Sequence, residues 1–433
     1  GGRIDSLIRN LGWLLASNGL MALLSLVYLG IATRTLGMAD FGRFALVTGA
    51  SQTIATLVGF ETWQIIVRYG LDHEASGRTG ALGRLLRTTI FLDLLSMTVG
   101  GLLLATLFTL WPDAFGIKDG LRPYLIGYAA IQLVTLRSTP IGILRLRDQF
   151  RLEALADSTT SIGRMAGALL ALAFWPTLKG FLVAWATVEV FTAIAYWLMV
   201  TRVVDLRALL RSTGTFRTIH AENPGLLRFI LSTNVQTSLG LAGRQVPLLL
   251  VGSFAGLKAA GAFRLALQLA NALSKISILL TRAAFPEIVR SIRSVTRERF
   301  GWLIGRIAMS SIAGAAAVML LIALLGKYLL MALGGLEYVD AYVLLLWLGG
   351  AGCVEIAAVS FEPILLAVQR AGTAMIAKAA AIAIQIVLML LLLPRYGALG
   401  ACIALVIGSL FAALFLGGVL WRYARRHDGI APA

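Results

Sequence analysis

The sequence predicts an all-α integral membrane protein: twelve transmembrane helices in two parallel six-helix lobes around a central cavity, both termini cytoplasmic. Three observations predict it. Hydrophobic residues make up 58% of the chain, charged residues only 14%, and mean hydropathy is +0.85, unlike a soluble core of this length. The apolar runs are about 20 residues long and unalternating, which excludes a barrel of alternating strands of about ten. Finally, short motifs of the first half of the chain recur in the second.

Taken in order, the expected spans cover about 11–36, 41–67, 86–110, 121–143, 154–175, 180–201, 226–254, 257–284, 301–325, 339–368, 372–393 and 397–421, each long enough at about 1.5 Å per residue to cross the hydrocarbon. The start Gly1-Gly2 reads as an added dipeptide, and the first apolar run as a span, not a cleaved signal. Loops are short. The longest polar stretch, 204–225, carries Arg207, Arg211 and Arg217 and ends at Pro224, a residue suited to a helix start. It divides an N-lobe (1–203) from a C-lobe (226–433). With the N-terminus inside, cytoplasmic segments hold 22 Lys and Arg and external segments 8, the asymmetry that orients membrane proteins.

The repeat is local but ordered. Leu15-Ala16-Ser17-Asn18 answers Leu231-Ser232-Thr233-Asn234. Gly37 and Gly42-Arg43-Phe44 match Gly256 and Gly261-Ala262-Phe263, and Pro140-Ile141 with Arg147 match Pro363-Ile364 with Arg370, at equal spacing within each pair. Six spans per lobe bring both lobes in from the same side, so the repeats are expected to be parallel.

The eighth span carries the densest polar pattern. Arg264, Gln268, Asn271 and Lys275 fall at i, i+4, i+7 and i+11, on one helical face, and Arg282 extends it. One Arg or Lys at mid-bilayer costs about 2.5–3.5 kcal/mol on insertion scales, so the stripe should face protein or a wet cavity. A hydrogen-bonded network between helices is the structural alternative. Other intramembrane cations are Arg34, Arg137, Arg164, Arg244, Arg306 and Lys378, with Asn18 and Asn234 as repeat-related polar partners. The net charge of +17 would suggest nucleic acid in a soluble protein. Here the cations lie in loops and spans, so no nucleic acid is expected and an anionic lipid or substrate fits better. Arginine binds phosphate bidentately and keeps its charge in a partly dry site. Carboxylates eligible to carry a coupling ion are Glu61, Asp93, Glu189, Glu355 and Glu362; Glu61 comes first because Gln64 and Arg68 share its face.

No Gly-x-x-x-x-Gly-Lys-Ser/Thr loop occurs, and His73, His220 and His427 have no zinc-ligand spacing. No metal, cofactor or catalytic residue is therefore expected, and an enzyme is disfavoured. Cys353 and Cys402 lie in apolar spans, so no disulfide framework is expected.

Leu36-Gly37-Met38-Ala39-Asp40-Phe41-Gly42-Arg43-Phe44, Gly261-Ala262-Phe263-Arg264-Leu265-Ala266, Phe285-Pro286-Glu287 and Ile143-Leu144-Arg145 together resemble the polysaccharide-exporting branch of the multidrug/oligosaccharidyl-lipid/polysaccharide flippase superfamily. The resemblance runs over essentially the whole chain. It implies a V-shaped transporter of a bacterial inner membrane that moves an undecaprenyl-diphosphate-linked glycan, of O-antigen or exopolysaccharide type, from the cytoplasmic to the periplasmic leaflet. Its expected partners are that glycolipid, membrane lipids and other polysaccharide-assembly membrane proteins, with the flippase itself a monomer. In the related lipid II flippases an arginine early in span 8 faces the lumen, and Arg264 matches it. A cation-coupled multidrug exporter of the same superfamily is the alternative. That branch often carries a carboxylate in span 1, where this chain has Asn18 and no acid. A membrane scaffold or glycosyltransferase subunit without transport is a second alternative.

Overall fold

In the computed structural model the backbone is described for residues 2–110, 120, 122–135, 137–207, 211, 214, 216–292, 297–358, 361 and 371–427. Side chains are described for most of these, the main exceptions being 2–20, 275–308 and 423–427. Every described regular element is helical: α1 (Gly2–Val58), α2 (Thr62–Ala75), α3 (Thr79–Leu110), α4 (Arg122–Val134), α5 (Ser138–Leu146), α6 (Phe150–Phe174), α7 (Leu178–Thr201), α8 (Phe216–Glu222), α9 (Leu226–Ala255), α10 (Leu257–Ile292), α11 (Arg297–Gly334), a 3-10 turn (Leu336–Ala341), α12 (Tyr342–Ala358), α13 (Ala371–Tyr396) and α14 (Ala398–His427). Seven stretches among the described residues are long and apolar enough to cross a bilayer.

The fold divides into two compact units, Gly1–Gly42 with Val246–Ala433, and Arg43–Gln245. The chain passes between them inside helices, at Gly42/Arg43 in α1 and at Gln245/Val246 in α9. Both crossings lie beside an interruption of helix geometry. In α1 it is Gly37, whose φ of 71° is left-handed, a conformation glycine reaches without steric cost. In α9 it is Pro247, which lacks the N–H for the i−4 bond.

In the first unit, α1 and α10 meet backbone to backbone. A Cβ on Gly42 would stand 1.9 Å from the Leu257 carbonyl oxygen and 3.1 Å from the Gly261 nitrogen; one on Gly261 would stand 2.4 Å from the Met38 oxygen and 3.1 Å from the Gly42 nitrogen. Each glycine meets its repeat mate, and each meets the residue one past the other's left-handed glycine, Gly37 and Gly256 (φ 88°). The contact is therefore self-complementary. Thr33 Oγ1 donates to the Leu333 carbonyl at 2.9 Å, and Arg34 Nη2 donates to Met331 at 3.2 Å, tying α1 to the end of α11.

In the second unit, two expected spans are broken. Span 2 stops after Val58 and restarts at Thr62; span 4 stops at Thr135 and restarts at Ser138. The short helices α2 and α5 pack so closely that a Cβ on Gly142 would lie 2.8 Å from Trp63 Cα. A helix start in an apolar interior leaves backbone N–H groups without partners. Ser138 Oγ meets one of them, accepting from the Trp63 N–H at 3.1 Å. Ile66, Leu82, Leu86, Ile143, Leu144 and Tyr196 close the core beneath the pair, and the Tyr196 hydroxyl donates to Asp157 at 2.6 Å. Part of the 204–225 stretch is itself folded: α8 docks on α2 and α3 through a bidentate Arg84–Glu222 pair, His73 Nε2 with Asn223 Oδ1 at 2.9 Å, and Tyr69 donating to the Pro224 carbonyl at 3.2 Å. The Arg84 guanidinium holds the Glu222 carboxyl below its ordinary range.

Candidate functional site

Along α10 the burial pattern separates one side from the rest. Phe263, Leu265, Ala266, Leu269, Ala270 and Ala272 are buried, whereas Arg264, Leu267 and Gln268 are half-buried and Asn271 is exposed. The side left open is the polar stripe. Polar groups left accessible within a bilayer avoid lipid, because hydrocarbon offers them no hydrogen bond. Arg264 sits about 10 Å along the helix from Leu257, at about 1.5 Å per residue. Lys275 and Arg282 continue the same helix, but their side chains lie outside the described residues, as do those of Asn18 and Glu362.

The remaining expected cations fall into two kinds. Arg34, Arg244 and Lys378 are exposed, and Arg244 Nε donates to its own helix at Gly240 O, 3.2 Å. Arg164 instead belongs to a packed cluster. Glu189, 1% exposed, receives Arg137 Nη2 on Oε2 at 2.5 Å and Arg164 Nη2 on Oε1 at 2.7 Å. Arg137 also reaches Thr160 Oγ1 at 3.4 Å, and Arg164 lies 5.9 Å from the Trp185 ring centroid. One carboxylate clamped by two guanidiniums gives a net positive group fixed on α5, α6 and α7. Asn234, the repeat mate of Asn18, is half-buried with its Oδ1 lacking a hydrogen-bond donor.

The other carboxylates differ in how they are held. Glu61 caps the start of α2 without a side-chain cap bond and accepts Trp63 Nε1 at 2.6 Å. Glu355 is exposed and accepts from Ser409 at 3.3 Å. Asp93, 7% exposed, lies on α3 against both helix breaks: its Oδ1 accepts the Thr62 hydroxyl at 3.0 Å and its Oδ2 accepts the Thr139 N–H at 3.3 Å. Thr62 and Thr139 were not singled out in the sequence. Ser138-Thr139-Pro140, a polar pair followed by proline, is the signal that marks this helix start.

Comparison with known proteins follows the same lines. The family model described as "Polysaccharide biosynthesis protein" matches residues 7–292. Inner membrane protein YghQ of Escherichia coli (strain K12) is 29% identical over 353 residues, 79% of this chain and 97% of that protein. An inward-facing multidrug resistance MATE family transporter of the MOP superfamily superposes with a TM-score of 0.72 at 17% identity, covering 95% of this chain and 96% of that one. The lipid II flippase MurJ in an inward closed conformation also gives 0.72, at 12% identity over 94% of this chain and 87% of that one. These likenesses establish the fold. With its spanning helices and an inner membrane relative, this is a multi-pass inner-membrane protein. The chain belongs to the polysaccharide biosynthesis protein family and has the fold of the MOP superfamily transporters.

Proposed function

We propose that the protein is a flippase for a lipid-linked oligosaccharide, carrying an undecaprenyl-diphosphate-linked glycan from the cytoplasmic to the periplasmic leaflet. The observation that carries this reading is the α10 stripe: between Ala260 and Ala272, where most side chains are buried, the more open side is the one bearing Arg264, Gln268 and Asn271. A guanidinium there offers a fixed charge and a planar fork of donors, which suits a diphosphate and repels a cationic drug. The family's role in polysaccharide biosynthesis and the fold shared with a lipid II flippase support the same substrate class. A diphosphate arriving from the cytoplasm meets Arg282 and Lys275 first and passes to Arg264, with Arg244 as a further donor. Twelve spans in two six-span lobes, termini and the 204–225 segment inside, complete the proposal. Chemistry on the glycan is not required of any residue.

The test is flipping of a fluorescent undecaprenyl-diphosphate glycan in proteoliposomes. Arg264→Ala is expected to lose most flipping at normal expression, and Arg264→Lys to restore only part, since an ammonium is a point charge without the fork. Wild-type flipping by a normally expressed Arg264→Ala, Lys275→Ala double variant overturns the reading. A structural role predicts the reverse pattern: poor folding, rescued by a hydrophobic residue of similar volume.

A further inference from the structure

We infer that Asp93 is a proton-binding site whose occupancy sets how firmly the two broken helices of the second unit are pinned. Three buried carboxylates stand out among the described residues of this unit: Asp93, Glu153 and Glu189. Glu153, 9% exposed, holds Arg145 through both oxygens at 2.6–3.2 Å, and Glu189 holds two arginines. Among the described residues no cation pairs with Asp93. Its described partners are the hydroxyls of Thr62 and Thr139 and the Thr139 backbone N–H, at the starts of α2 and α5. Thr139 Oγ1 donates in turn to Thr62 Oγ1 at 3.2 Å, so the two helix starts and the carboxyl form one chain of hydrogen bonds.

Several charged and titratable groups on the elements packed against α3 are engaged elsewhere, Arg68 among them over the Tyr69 and Phe229 rings. Glu61 accepts from Trp63, Arg137 and Arg145 are committed to Glu189 and Glu153, and His73 and Glu222 hold Asn223 and Arg84. Tyr128 on α4 makes no described bond to Asp93. The ligand the site fits is a proton and not a metal cation. One of its few polar contacts is an N–H aimed at Oδ2, which repels a cation, and the four side-chain oxygens of Asp93, Thr62 and Thr139 fall short of the six to eight a hard metal ion gathers.

A proton from water adds to Oδ1, which turns from acceptor to donor; the Thr62 hydroxyl rotates to accept it, and the carboxyl loses its charge. The Thr139 N–H then faces a neutral oxygen instead of a carboxylate, and a charge-assisted hydrogen bond is roughly twice as strong as a neutral one. Protonation thus loosens the start of α5 relative to α3. Loss of the proton tightens it. Half-helix ends at a broken span are where transporters place coupling ions, and Asp93 lies about 10 Å into the third span. The link from this site to transport rests on the flippase reading; the site itself does not.

Infrared difference spectroscopy of the reconstituted protein between acidic and neutral buffer needs no substrate and reads the site directly. The wild type is expected to show a protonated-carboxyl C=O band that Asp93→Asn lacks. Thr62→Val should keep the band and shift it, because it removes one of the two bonding hydroxyls and leaves the carboxyl in place, and it serves if Asp93→Asn does not fold. An unchanged band in Asp93→Asn, or an unshifted one in Thr62→Val, overturns the inference. In proteoliposomes, a pH gradient should stimulate flipping by wild type and not by Asp93→Asn at equal expression, with Asp93→Glu restoring part. Full stimulation of Asp93→Asn overturns the coupling role. Absence of flipping in the wild type counts against the flippase reading and leaves the infrared result to decide the site.

Discussion

Gly42 and Gly261 allow a quantitative test of how the first unit is held. Contacts between carbon and a carbonyl oxygen settle near 3.3–3.6 Å. Alanine at 42 would place its methyl 1.9 Å from the Leu257 oxygen, and alanine at 261 would place one 2.4 Å from the Met38 oxygen. The obstructing atoms are backbone, so no rotamer change relieves them; the helices must separate, by about 1.5 Å for the first and about 1 Å for the second. Overpacking of this kind costs roughly 1–3 kcal/mol and sometimes more, against a gain of about 0.5–1 kcal/mol for replacing a helical glycine. The net expectation is a loss of about 2 kcal/mol for Gly42→Ala, near the top of the difference, and about 1 kcal/mol for Gly261→Ala. Because one separation relieves both clashes, the double variant should fall short of the sum by roughly 1 kcal/mol or more. Cys402 is fully buried, so reaction with a thiol-reactive dye on heating reports unfolding in detergent. Gly101→Ala, in a helix with open space around the added methyl, is the control and should melt no lower than wild type. A Gly42→Ala melting point equal to that control, or a double variant equal to the sum, refutes the backbone-contact argument.

Two further outcomes follow from the second unit. Glu189→Gln leaves Arg137 and Arg164 without their shared counter-ion and is expected to cost about 3–5 kcal/mol, the range for breaking a buried ionic group; adding Arg164→Met should recover part, and an unaltered thermal midpoint in the single variant contradicts the clamp. Arg84 holds the folded-state pKa of Glu222 down, so its contribution is fully present above the ordinary carboxylate range and is lost as pH falls through the lowered value. The stability difference between wild type and Glu222→Gln, followed by melting across pH, should therefore shrink on acidification, and a difference that grows instead contradicts the pairing.

Hydropathy made the membrane class legible, and the glycine repeat located a real contact: Gly42 and Gly261, matched on spacing alone, touch each other. The helix breaks were only partly legible: Ser138-Thr139-Pro140 marks the start of α5, but hydropathy alone carries the runs 41–67 and 121–143 straight across both breaks. The Arg164–Glu189 pair joins residues 25 apart on different helices, a separation that helical spacing cannot register. Glu61 led the carboxylate candidates because of its neighbours on one helix, yet Asp93 is the one set against both helix breaks, an arrangement that exists only once α2, α3 and α5 have packed.

The course of α1 has a consequence for how the protein is made. Thr33 bonds a residue 300 positions later. At about 5–20 residues per second of synthesis, that partner emerges roughly 15–60 s after the helix that needs it. For that interval the start of the chain sits in the membrane unmatched, while the contiguous second unit, Arg43–Gln245, has every residue it requires. Assembly is then expected to run outward from Arg43–Gln245, with the part of α1 before Gly42 waiting for the helix whose Leu333 it bonds.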